Sequence, residues 1–272
     1  VQTIYGGSMY FFTLGPSEIR GSNRIMRPKG AIQQLLFASF MATAGQVVTV
    51  ESLAEELWGT TPPKKMNNAL QAQISRLRRM LAHLEPDSVP RITATVSGYQ
   101  FRLRSGELDA QVFLDSIEAI RTGVGGDPRR CANDLRRAIT LWRGPAFGGV
   151  VGGPLCQTAA SKYEEARLSA LELLYGIELK CGRHARIIPE LTETLALNPV
   201  QEQFCRLLML ALYRSGRHID ALNTYRQFRH RLNEDLGVDP SPTLRWCESA
   251  ILEHDPALLG EPALAGQAGV RI

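Results

Sequence analysis

Paired cysteines are missing from this 272-residue chain. Its five cysteines, at 131, 156, 181, 205 and 247, are odd in number and widely spaced, and no C-x-x-C pair occurs. Neither a zinc site nor a disulfide framework is expected, and free buried thiols in a reducing compartment are. Long apolar runs are missing too: no stretch reaches the roughly 18 apolar residues of a membrane-spanning helix. The N-terminal VQTIYGGSMYFF has no basic region ahead of an apolar core, so no signal peptide is expected there. The native start is expected at Met9, with residues 1–8 a leader or an expression remnant. Catalytic signatures are also absent. Histidines 83, 184, 218, 230 and 254 form no H-E-x-x-H or comparable cluster, and there is no G-x-S-x-G elbow. The glycines from Gly123 to Gly126 follow no strand and precede no lysine, which makes them a connector rather than a phosphate loop. No reaction, cofactor or metal is expected.

What is present is an uneven distribution of charge. The net charge is +4. Residues 1–63 balance at zero, whereas Lys64–Arg104 holds eight Lys and Arg against two acids, Glu85 and Asp87, a local +6. The rest sums to −2. Basicity confined to one short region suits a segment that meets a polyanion.

The first half mixes strands and helices. Met9–Leu14 is short and aromatic and is broken by Gly15-Pro16; Glu18–Arg20 and Ile25–Arg27 read as two further strands. A helix is predicted over residues 29–44, with Ile32, Leu35, Leu36 and Phe40 in one stripe. A second follows Thr49, a plausible N-cap, with Leu53 and Leu57 inward, and stops at Trp58-Gly59. Thr60-Thr61-Pro62-Pro63 is a stiff turn, because two prolines cannot continue a helix. A third helix is predicted over 65–84, then strands Arg91–Val96 and Tyr99–Leu103 about a Ser97-Gly98 turn. Helix, turn, helix and hairpin is the order of a winged helix.

The second half reads as helices: Asp109–Ile120, about 128–142 and 158–180, with a glycine-rich loop at Gly148–Pro154. Gly182-Arg183-His184 then recurs as Gly216-Arg217-His218, an offset of 34 residues, the tetratricopeptide period. In that register Pro199 takes the helix-ending position and Ala221 the small contact position, where the first repeat has Ile187. The predicted fold is mainly α with a small β component: an N-terminal winged helix-turn-helix followed by an all-α, tetratricopeptide-like helical-hairpin domain. The domains are expected at 9–106 and 107–272, with about the last 15 residues disordered.

The helix predicted over 65–84 localises the function. Stepping about 100° per residue from Leu70, Ile74, Leu77 and Leu81 all fall within about 40° of it. Lys65, Asn68, Ala72, Ser75, Arg76, Arg79 and His83 take the opposite side, flanked by Gln71 and Arg78. A solvated helix face normally interleaves charges of both signs; this one has no carboxylate until Glu85. Such a helix fits the major groove of B-DNA, where Arg bridges guanine and Asn or Gln bridges adenine. Asn68, Gln71, Ala72, Ser75 and Arg76 are the candidates for base edges, and Lys64, Lys65, Arg78 and Arg79 for phosphates. Arg91, Thr93 and Thr95 of the hairpin are expected to extend the footprint to an adjacent backbone or minor groove. With about five phosphate contacts, log K would fall with log salt at a slope of about −4 to −5.

The stretches ISRLRRML and ITATVSGYQF, with VTVESLAEELWGTTPP before them, resemble the OmpR-type winged helix. LDAQVFLDSIEAI, AITLWRGPAFGGV and LMLALYRSGRHIDALNTYRQFRHRLNEDLGVDPSPTL resemble a bacterial transcriptional activation domain. Together, over about Met9–Asp255, they are similar to the Streptomyces antibiotic regulatory proteins. The resemblance implies a cytoplasmic, nucleoid-associated activator of secondary-metabolite genes. It would bind direct repeats near the −35 element as two protomers side by side and recruit RNA polymerase, including its sigma factor. It also makes Gly59, Thr60, Thr61, Pro62 and Pro63, with Lys64, the candidate polymerase contact. No ATPase module or receiver domain is expected, since no G-x-x-x-x-G-K-[ST] occurs and the residues before the helix-turn-helix are used. Alternatives stay open: a repeat-based adaptor, a regulator gated by a small ligand held between helical hairpins, or an RNA binder, which would want an exposed aromatic platform.

Overall fold

The computed structural model describes residues 9–21, 24–84, 89–123 and 127–259. The expectations for residues 1–8, Glu85, Asp87, the glycines at 125 and 126, and the C-terminal tail lie outside them. The described residues hold six short strands and ten α-helices. Strands β1 (Tyr10–Phe12), β2 (Glu18–Arg20) and β3 (Ile25–Met26) form one antiparallel sheet. Helices α1 (Ala31–Ala42), α2 (Val50–Trp58) and α3 (Met66–Leu84) follow, with strand β4 (Val47–Thr49) between the first two. Strands β5 (Ile92–Ala94) and β6 (Gly98–Phe101) join β4 in a second sheet of order β4-β6-β5. The remainder is helical: α4 (Asp109–Thr122), α5 (Pro128–Ile139), α6 (Pro154–Lys180), α7 (His184–Leu197), α8 (Glu202–Arg214), α9 (His218–Leu236) and α10 (Pro242–Leu252).

Contacts divide the chain into two compact units, one of residues up to 124 with Leu135–Leu168, the other of Gly125–Asp134 with Ser169 onward. The division runs through α5 and α6 rather than at the end of the wing. In the first unit the core is aromatic. Phe11 meets Phe101 edge-on at 5.2 Å and Phe40 lies 5.7 Å from the same ring. Helix α1 is buried more widely than its sequence stripe: Leu36, Phe37, Phe40 and Met41 are buried, as are Gln33 and Ser39, while Ile32 and Leu35 are only half-buried. Gln33 explains part of this, because its amide donates to the Gln73 carbonyl and side chain of α3 at 3.1 and 2.6 Å. The hydroxyl of Thr49 accepts from the Ser52 amide at 3.1 Å, so α2 is capped at its N-terminus.

Three carboxylates tie the winged helix to the segment after it, inside this unit. Glu107 takes both ends of the Arg91 guanidinium at 2.8 and 2.9 Å. Asp109 accepts the amides of Thr13 and Leu14 and the Thr13 hydroxyl at 2.8–3.0 Å. Burial pushes the Asp109 carboxyl above its ordinary range, and the amides of Leu14 and Thr13 oppose that push. Glu56 of α2 accepts the amides of Leu155 and Cys156, which begin α6 and have no intrahelical partner.

In the second unit the recurring G-R-H triplets adopt the same turn. Gly182 and Gly216 follow α6 and α8 with φ of 72° and 76°, and the amides of Arg183 and Arg217 reach back five residues to the Glu178 and Leu212 carbonyls, each at 2.9 Å. A left-handed glycine closing a helix in this way satisfies carbonyls that the helix leaves open. Ile187 and Ala221, equivalent by the offset, are both fully buried. Pro199 lies beyond the end of α7, and Pro189, unanticipated, sits within that helix.

The wing corrects one reading. Gly98 was expected in a turn, yet it is the first residue of β6 and faces Thr49 of β4. A Cβ there would run into the Val48 carbonyl oxygen and lie 2.8 Å from Thr49 Cα. Residues 95–97 form the tip instead. Gly98→Ala is therefore expected to cost at least about 1–3 kcal/mol, read from the urea midpoint; an unchanged midpoint would show that β4 and β6 can part without cost.

Candidate nucleic-acid interface

The sequence of α3 determines which side it hides. Leu70, Ile74, Leu77 and Leu81 are its four buried residues. Everything expected on the far side is exposed: Lys64 and Lys65 in the turn before the helix, then Asn68, Gln71, Ala72, Ser75, Arg76, Arg79 and His83. Asn67 is exposed too, but it lies about 60° round the helix from Leu70, on the flank that carries Arg78 and Gln71. Among the described residues, Lys64, Lys65, Arg76 and Arg79 make no ion pair. Ala72 and Ser75 are small, so the middle of the surface admits close approach. The loop Gly59–Pro63 is exposed throughout, and the Thr61 amide and hydroxyl both donate to the Trp58 carbonyl at 3.1 and 3.3 Å.

Two arginines depart from this surface. Arg91, expected at the DNA-facing start of the hairpin, is only 5% exposed. Its guanidinium is held by Glu107 and by the Arg102 carbonyl at 3.3 Å, 5.9 Å from the Phe11 ring. The expectation fails because Arg91 neutralises a carboxylate sixteen residues away that is fully buried. Arg78 is half-buried, and its Nε–H donates to the Ile92 carbonyl of β5 at 3.1 Å.

In the hairpin, Thr93 is half-buried and Thr95 exposed. The Thr95 hydroxyl accepts the Gly98 amide at 3.2 Å, so it shapes the tip. Val96 at that tip is fully exposed, an apolar side chain that alternation alone did not single out. Elsewhere, burial pushes the thiols of Cys156 and Cys247 up to about 12 and about 11, and that of Cys205 higher still. Thiols so raised stay protonated and serve as packing groups. Among the described residues no group of three or more His, Cys, Asp and Glu side chains is placed to hold a metal, and no helix is long and apolar enough to cross a membrane.

A winged helix that presents a carboxylate-free cationic helix defines the class, a DNA-binding transcriptional regulator. Two family models cover the chain: "Transcriptional regulatory protein, C terminal" over residues 31–103 and "Bacterial transcriptional activator domain" over 108–252. The chain belongs to the Streptomyces antibiotic regulatory protein family of transcriptional activators. It is 37% identical to the transcriptional regulator RedD of Streptomyces coelicolor over 96% of its own length and 75% of RedD. With the regulatory protein DnrI of Streptomyces peucetius it shares 32% over 90% of this chain and 92% of DnrI. The regulatory protein AfsR of Streptomyces coelicolor is 37% identical over 93% of this chain, which spans a quarter of AfsR. Among solved structures, Mycobacterium tuberculosis EmbR, in complex with a low-affinity phosphopeptide, matches with a TM-score of 0.83 and 25% identity over 92% of this chain and 66% of EmbR.

With Arg91 buried and Arg78 bonded within the protein, Lys64, Lys65 and Arg79 remain as phosphate candidates. The salt dependence of duplex binding is then expected at a slope of about −3 per protomer, below the sequence-based figure. Arg79→Gln should reduce that slope by about one. Arg91→Met should leave the slope unchanged while costing about 3–5 kcal/mol of stability, because the buried Glu107 loses its bidentate partner and keeps only the Arg104 amide at 2.8 Å and a longer contact to the Arg104 guanidinium at 3.8 Å. A slope that falls with Arg91→Met and not with Arg79→Gln would reverse the assignment.

Proposed function

We propose that this chain activates antibiotic biosynthesis genes by binding direct repeats near the −35 element, two protomers side by side, and by recruiting RNA polymerase holoenzyme. The observation that carries the reading is the exposed α3 surface, whose cations have no partner among the described residues. Exposed like charges four residues apart or closer weaken a helix in isolation, and a polyanion removes that cost. Asn68, Gln71, Ala72, Ser75 and Arg76 read base edges on this view; Lys64, Lys65 and Arg79 hold phosphates; Thr93 and Thr95 bring the wing to the neighbouring groove. Gly59, Thr60, Thr61, Pro62 and Pro63 stand just before the DNA-facing residues, which suits a contact with polymerase or its sigma factor bound alongside. The relatives RedD, DnrI and AfsR, regulators by name, support the reading, which implies a cytoplasmic, nucleoid-associated protein.

A second reading, a ligand-gated regulator, is favoured by one feature of the second unit. A cleft of about 410 Å³ lies among α7, α8 and α9, lined in part by Leu208, Leu212, Asn223, Gln227 and Arg231. On that reading the purified protein would leave its promoter unprotected until a small ligand is added.

Footprinting on candidate promoters with purified protein, with and without holoenzyme, tests the proposal. Two protected blocks of like orientation are expected, about one helical turn or a multiple of it apart. Arg76→Ala should weaken protection by roughly tenfold to a hundredfold, the loss of one bidentate base contact. Thr60→Ala with Thr61→Ala should leave protection intact and lower transcription from the same template. Protection indifferent to Arg76, or a palindromic footprint, would contradict the proposal.

A further inference from the structure

The hydrogen bond from Arg78 to the wing carries an inference that rests on the DNA-binding reading and deepens it. Arg78 and Arg79 are adjacent; helical spacing puts Arg79 on the outer side and Arg78 on its flank, yet both are expected to hold phosphates. The structure separates them: Arg79 is exposed, whereas Arg78 is half-buried and gives its Nε–H to Ile92. The position of the acceptor matters. Strand β5 is the edge of its sheet. The Arg91 carbonyl accepts from Arg102, and Thr95 donates to Gly98, so the odd-numbered residues of this strand turn their backbone groups toward β6. In an antiparallel pair the alternate residues turn theirs away. The Ile92 carbonyl thus points off the open edge, and Arg78 covers it.

The bond joins two elements that must meet one duplex at a fixed mutual angle. The side chain of Ile92 is buried, which anchors the same residue to the core. The segment from Ile92 to Gly98, ITATVSG, has no charged residue, so the wing has no electrostatic pull of its own toward DNA. Its contact depends on being aimed. We infer that Arg78 is a positioning residue that locks the wing to the recognition helix α3, so that the tip at Thr95, Val96 and Ser97 reaches the groove beside the one α3 occupies.

Arg78→Lys separates this from a phosphate contact. Lysine keeps the positive charge but lacks the planar guanidinium whose Nε–H makes the bond. For the intact chain on the footprinted promoter duplex, three results are expected of Arg78→Lys. Affinity falls about tenfold; the salt slope stays at the wild-type value, because no charge is lost and none lies in the wing; and hydroxyl-radical protection at saturating protein disappears on the wing side only. Amide hydrogen exchange over residues 92–98 of the free protein should also accelerate, with unfolding midpoints compared to exclude global loss of structure. Arg78→Lys with wild-type affinity and an intact wing footprint would overturn the inference. So would Arg78→Gln if it lowered the slope by about one with the wing protected, which would make Arg78 a phosphate ligand. If Arg76→Ala leaves binding unaffected, the DNA reading of α3 fails by itself; exchange over 92–98 in the free protein then still decides whether Arg78 holds the wing.

Discussion

The apolar ridge of Leu70, Ile74, Leu77 and Leu81 is the contact on which the rest depends. Each of the four is at most 4% exposed. Burying an aliphatic side chain of that size is worth roughly 1.5–3 kcal/mol. The ridge therefore fixes the rotation of α3 about its axis against the repulsion among its arginines. A helix turned by half would bury Arg76 and Arg79 without partners, at several kcal/mol for each ion. Hydrophobic burial on one side thus makes an uncompensated cationic side possible on the other, and the Gln33–Gln73 bonds add a polar stop to the same rotation.

Around this helix the protein spends its buried carboxylates on orientation. Glu107, Asp109 and Glu56 each reach between residues of the winged helix and residues 107–168, and each ends on a guanidinium or on backbone amides that lack another partner. Removing one partner from such a site leaves a buried charge or amide unsatisfied, so these links resist being opened one at a time. They account for the difference between the family boundary, which falls between residues 103 and 108, and the packing division, which leaves α4 and the first part of α6 in the same unit as the wing. The exposed helix α3 and the first part of the matched activator domain thus lie in a single packed body.

Much of this was legible because it is local. The ridge follows from helical spacing; the cap at Thr49, the strand at Glu18–Arg20 and the G-R-H turns follow from residue chemistry within a few positions. What escaped is non-local. Nothing near Arg91 announces that Glu107 will be fully buried against it, so an arginine beginning a strand reads as surface. Strand β4 is three residues long and exists because β6 returns to pair with it about fifty positions later. Gly98 looks like a turn residue until that pairing shows what presses on it. Spacing sets Arg78 on the flank of α3 and Arg79 on its outer side, but that Arg78 bonds to Ile92 shows only once the wing is in place. The extra buried side of α1 follows from packing partners far along the chain, among them Cys156, whose sulfur lies 3.8 Å from the Ser39 hydroxyl.

The central claim is that the small residues at the middle of the cationic surface of α3 lie against base pairs in a major groove. Replacing Ala72 by a photoreactive benzoylphenylalanine measures this most directly. With the promoter saturated, irradiation should give an adduct to a base within one repeat, at a fixed position on one strand. An adduct only to the protein's own chain, or none while the duplex remains bound, would contradict the account.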